Sequence, residues 1–222
     1  MIPAKVLAAT VCLVVVVAAT PKNESCDFSG IDLDYAVSSV LTQLPNDHPI
    51  GLTGFTPLLP VIDIGFKQFN GFNKMTRYGP LVPYCVDGKY MAQVDLINSE
   101  DISMSAHWKA CSGQEGEVIL RNSLTRFTVQ FRVVLHPVAR AYRLEFEDAV
   151  VPVISAYPYV VIEGAGREVR GASMWLSKIF PAVTQNIWND LFTKHFSVAL
   201  RDAARKLYGG GKIPDLFWER LM

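Results

Sequence analysis

The chain has little charge and no excess of either sign. Its 21 Lys+Arg balance 21 Asp+Glu over 222 residues, and charged residues make up only 19% of the total. That leaves no global field with which to gather nucleic acid. The 15 Gly and 13 Pro follow no fixed period, which excludes a fibrous protein. No uncharged apolar run beyond residue 20 approaches the ~20 residues of a bilayer span. Catalytic signatures are missing too. There is no G-x-S-x-G elbow and no H-E-x-x-H pair. Gly164-Ala165-Gly166 meets Val169 where a dinucleotide loop needs its last glycine, and Gly209-Gly210-Gly211-Lys212 runs on to Ile213, which fails the phosphate-loop pattern. His48, His107, His136 and His195 show no metal-ligand spacing. Neither a metal nor a cofactor is expected, nor an enzyme.

What is present is apolar. Half the residues are hydrophobic, too many for a disordered chain. In residues 1–20, Lys5 supplies a positive start and residues 6–19 form an uncharged apolar run, with Val17 and Ala19 at the spacing signal peptidase accepts. Residues 1–19 therefore read as a secretory signal peptide. Residues 20–211 read as a single domain and 212–222 as an apolar tail. The expected location is extracellular, with one glycosylation acceptor at Asn23. Cys12 leaves with the signal, so Cys26, Cys85 and Cys111 remain, and an oxidising compartment favours one bridge. Segments 89–97 and 102–110 read as a hairpin in which Ile97 faces Ile102. That brings Cys85 near Cys111, and this pair is the expected disulfide.

Two helical patterns flank a run of strands. Over 32–44, Leu33, Ala36, Val37, Val40, Leu41 and Leu44 follow helical spacing, with Ser29 or Asp27 as the cap. Segments 61–66, 90–96, 102–110, 127–135 and 142–146 alternate apolar and polar residues, which gives strands with one wet face and antiparallel pairing. Segment 157–162 is less polar and suits a strand covered on both faces. Segment 172–208 reads as a long helix broken at Pro181. Its main stripe is Leu176, Ile179, Phe180, Val183, Ile187 and Leu191, widened by Phe192, Phe196, Leu200 and Leu207. The fold class is α+β, a long curved antiparallel sheet wrapped around a long C-terminal helix, with a shorter N-terminal amphipathic helix.

This order of elements resembles the tubular lipid-binding superfamily, which includes the bactericidal/permeability-increasing proteins, the juvenile-hormone-binding and takeout-like proteins, and the group 7 mite allergens. The group 7 allergens look closest. IDIGFKQFNGFNKMTR (62–77) resembles their strand-Gly-basic segment, LINSEDISMSAHW (96–108) the hairpin that follows, and 178–207 their last helix. The resemblance implies an elongated apolar cavity for lipids or similar ligands. The expected function is a secreted, non-enzymatic carrier of lipids or other small apolar molecules. Ile64, Phe66, Val94, Met104, Trp108, Phe127 and Phe131 would line its cavity from the strands, and Val40, Leu44, Ile179, Val183 and Ile187 from the helices. Alternatives are an innate-immunity protein binding bacterial lipid, which the neutral net charge disfavours, and an interaction protein whose core its own side chains fill. Membrane-surface or self association stays open. The tail 213–222 carries Leu216, Phe217, Trp218, Leu221 and Met222, and folding back over the sheet or a cavity mouth would hide them.

Overall fold

The computed structural model describes residues 26–50, 54–136 and 141–209. The signal peptide, Asn23 and the tail 212–222 lie outside the described residues. In chain order the elements are α1 (Leu33–Leu41), β1 (Asp47–Ile50), β2 (Thr56–Leu59), β3 (Ile62–Asn70), β4 (Met75–Val86), β5 (Lys89–Asn98), β6 (Ile102–Ala110), β7 (Glu115–Asn122), β8 (Thr125–His136), β9 (Ala141–Ser155), β10 (Tyr159–Glu163), α2 (Arg167–Ile179) and α3 (Pro181–Gly209). The protein is α+β, as expected, with long antiparallel strands, a long C-terminal helix and a shorter N-terminal one.

The strands form two sheets where the sequence suggested one. One sheet runs β1-β3-β6-β7-β10, with β2 on β3, and the other runs β4-β5-β8-β9. The order of one sheet continues into the other, because β3 leads into β4, β5 into β6, β7 into β8 and β9 into β10. The two sheets are therefore the halves of one ribbon of long strands, each bent at its middle. Residues 89–110 alone trace ~70 Å of contour at ~3.3 Å per residue.

The expected hairpin between 89–97 and 102–110 does not form. β5 pairs with β4 and β8, and β6 pairs with β3 and β7. The link at 99–101 is the bend, and Asn98 explains why. Its amide is buried, donates to the Glu100 carbonyl (2.7 Å) and the Ser123 carbonyl (3.1 Å), and accepts from the Thr125 N–H. Asn122 repeats the device at the next bend. It donates to Ser155 Oγ (2.7 Å) and the Ala156 carbonyl (3.1 Å), and accepts from the Leu124 N–H (3.0 Å). Ser99 N–H on the Lys74 carbonyl (3.1 Å) and Ala156 N–H on the Leu124 carbonyl (2.7 Å) complete the seam. The strands that leave the ladder at the bend thus keep their polar groups paired.

The disulfide expectation falls with the hairpin. Cys85 pairs with Cys26, and Cys111 is free and exposed. Cys85 closes β4 while Cys111 follows β6, and those strands belong to opposite halves of the ribbon. The bridge holds the segment ahead of α1 against the end of β4. The β4–β5 turn is Asp87-Gly88, both at positive φ (52° and 73°), the geometry of a two-residue hairpin turn.

α1 forms as its spacing demands. Leu33, Ala36, Val37, Val40, Leu41 and Leu44 are all buried. Its cap is Asp32, not Ser29 or Asp27, with the carboxylate accepting from the Tyr35 N–H at 2.9 Å. The helix break falls at Pro181 as expected, and α2 ends at Ile179. The face of α3 turned to the core is a correction. Trp188, Phe192, Phe196, Ala199, Leu200, Ala203 and Ala204 are buried, while Ile179, Val183 and Ile187 are 45%, 55% and 46% exposed. Aromatic side chains bury ~150–250 Å² each, so where a helix is apolar on two sides the aromatic side goes inward.

Candidate functional site

The interior is an aromatic stack. Phe127 and Phe192 lie face to face, with centroids 4.5 Å apart and planes 5° apart. Phe192 continues to Trp188 (5.4 Å) and Phe196 (5.0 Å), and Phe196 to Phe72 (5.4 Å). The strand residues named from sequence fall in or beside this core. Phe127, Phe131 and Val40 have no accessible surface, and Val94 and Leu44 are nearly as buried, all in one cluster that Met104 packs against. A side chain with no accessible surface borders no void that admits water. Val40, Phe127 and Phe131 thus pack against protein in this structure, where the sequence reading had them facing a ligand. Trp108 is buried apart from that cluster and donates Nε1–H to the Glu163 carbonyl at 3.0 Å, while Ile64 is half-buried. The Phe66 side chain lies outside the described residues. Ile179, Val183 and Ile187 are on the outside of the molecule.

Residues near β10 and α2, largely absent from the sequence-derived set, form the most apolar groove among those described. β10 is the outer strand of its sheet, and an outer strand leaves N–H groups unpaired. Here α2 covers that edge. Ser177 Oγ accepts from the Val160 N–H at 2.9 Å and Ser173 Oγ from the Ile162 N–H at 3.3 Å. The buried face of α2 is therefore small and polar, and its larger apolar residues point elsewhere. At the β10 end of this contact a groove of about 490 Å³ opens between Tyr157, Pro158, Tyr159, Met174, Ser177, Lys178 and Pro181, with a predominantly apolar wall. That volume is in the range of small-molecule sites. Lys178 is the one charged group on its wall, so an apolar body with an acidic head would find a partner there. The sequence signal was present in Tyr157, Tyr159 and Met174, but nothing in their spacing links residue 157 to residue 178.

A second cleft, about 590 Å³, lies between β9 and α3 and presents Arg143, Arg201, Arg205 and Glu145 beside Leu144, Phe146 and Ala204. Its charged rim suits an anion better than an apolar chain. His48 and His195 face each other across β1 and α3, with ring centroids 6.0 Å apart. Burial pushes both pKa values down. The nearby Asp202 charge partly opposes this at His48, and His48 and Lys194 reinforce it at His195. Among the described residues no group of three or more His, Cys, Asp or Glu is placed to hold a metal ion.

No family model matches the chain, and no curated protein matches it. Among solved structures it is similar to Takeout 1 of Epiphyas postvittana, at 12% identity, with 73% of each chain covered and a TM-score of 0.38.

Proposed function

We propose that this chain is a secreted, non-enzymatic binding protein that carries a lipid or another small apolar molecule, with kinship to the tubular lipid-binding superfamily and its group 7 mite allergens. The observation that carries the reading is the apolar groove between β10 and α2. Moving apolar ligand surface out of water onto such a wall is favourable by ~25 cal/mol per Å². The ligand sits at this groove and not among Phe127, Phe131 and Phe192, which have no accessible surface. The close packing of the described aromatic core also favours a second reading, an interaction protein with no small ligand.

Titration of the full chain with a fluorescent fatty acid separates the two. Saturable binding is expected, with affinity reduced at least about tenfold by Met174→Glu, because the new carboxylate replaces an apolar contact and competes with the ligand's acidic head for Lys178 four residues on. Absence of binding, or binding indifferent to Met174→Glu, contradicts the carrier.

A further inference from the structure

Of the stripe read from the sequence, Leu191 packs against the core, but Leu176, Ile179, Phe180, Val183 and Ile187 face outward, and Trp175 joins them. Trp175, Leu176, Ile179, Phe180, Val183 and Ile187 are 45–63% exposed, and their spacing carries one apolar band across the break at Pro181. The band cannot roll inward. Ser173 and Ser177 fix α2 to the edge of β10, and Trp188 and Phe192 fix α3 in the core. Six large apolar side chains held out in a row form a patch of the kind that marks an interaction surface.

Charge identifies the partner. α2 carries Arg167, Arg170 and Lys178 against one acidic residue, Glu168, with Arg170 facing Glu163 at 3.8 Å, and no acidic residue follows between 169 and 189. In a chain of zero net charge this is a local positive excess. A second copy meeting the band about a two-fold axis would bring like charges together. An anionic lipid surface meets them with opposite charge. The helix itself also fits, since α2 has a polar inner face, cationic flanks and a Trp/Leu/Ile outer face, the composition of helices that lie in a bilayer interface.

We propose that the band across α2 and the start of α3 docks this protein onto an anionic lipid bilayer. α2 lies in the headgroup plane with Trp175 and Phe180 buried in the interface, and Arg167 and Lys178 contact lipid phosphates. This goes beyond the carrier reading, because a protein that never holds a single lipid could still dock in this way.

The test is cosedimentation of the full secreted chain with phosphatidylcholine vesicles, with and without phosphatidylglycerol, at ~0.1 M salt, where the Debye length is ~10 Å. The chain is expected to pellet with the phosphatidylglycerol vesicles. W175S/F180S and R167E/K178E are each expected to weaken that binding at least about tenfold, while melting with the wild type. Equal behaviour of wild type and both variants overturns the proposal. A dimer that W175S/F180S disperses, in a protein that ignores vesicles, assigns the band to a second copy. Vesicle binding that appears only after deletion of residues 212–222 assigns it to the chain's own tail. The soluble fatty-acid titration is read separately, so failure here and failure of the carrier reading are distinguishable.

Discussion

Individual polar residues hold this fold at its bends and its seams. Asn98 and Asn122 each satisfy three backbone or side-chain partners from a buried position. Removing a buried partner leaves the others unpaired at ~1–3 kcal/mol. Asn98→Ala is therefore expected to lower unfolding stability by about that amount, read by urea denaturation. The Cys26–Cys85 bridge closes a separation of 59 residues, for which the chain-entropy estimate is about 4 kcal/mol. Cys26→Ser should lose most of that, whereas Cys111→Ser should leave the denaturation midpoint unchanged. The reverse pattern would restore the Cys85–Cys111 pairing. Histidines set a pH dependence. Burial lowers both pKa values in the folded state, so the unfolded chain takes up protons first as pH falls below its ordinary value of about 6.5. Stability is then lost from that point down to the depressed folded values. Replacing His195 with Phe should flatten this slope below about pH 6.5. Glu145 acts lower on the scale. Hydrogen bonding from Arg132 holds its pKa down against burial, with Arg143 assisting, so its contribution is full above about pH 4.3 and fades as pH falls through its folded value.

At the scale of elements, the two apolar sides of the C-terminal helix can be told apart by mutation. Trp188→Ala should cost ~3–5 kcal/mol as a core truncation, and Ile187→Ala, one residue away, under ~0.5 kcal/mol as a surface change. Equal costs would mean the helix is rolled the other way. The sequence made α1 and the strands β5, β6 and β8 legible because each has a single wet face and a clean period. It left β4 unread because Pro80 and Pro83 argue against a strand, although β4 is an outer strand, where proline is tolerated. Asp87-Gly88 was the turn signal that would have placed the hairpin there. The face of α3 was illegible from periodicity alone, since Val183/Ile187 and Trp188/Phe192 both keep helical spacing. Side-chain size decided between them. α2 misled for a different reason. A helix covering a strand edge needs serines on its inner face, so its apolar face is the outer one.

For the molecule as a whole, the bent ribbon closes over α1 and α3 with aromatic side chains filling the space between. Apolar alternation says that such a face is buried but not what covers it, and this is why Val94, Phe127 and Phe131 read equally well as core and as cavity wall. The groove was less legible still. It joins Tyr157 and Tyr159 to Met174 and Lys178 only because α2 docks on the outer edge of β10. On the proposed function, apolar ligands sit at the groove, outside the packed aromatic cluster. Photolabelling with a diazirine fatty acid, mapped by peptide mass spectrometry, tests this most directly. Labels on the peptides carrying residues 157–159 and 174–181 are the expected result. Labels concentrated on Phe127, Phe131 or Phe192 would show a cavity at the heart of the ribbon and contradict it.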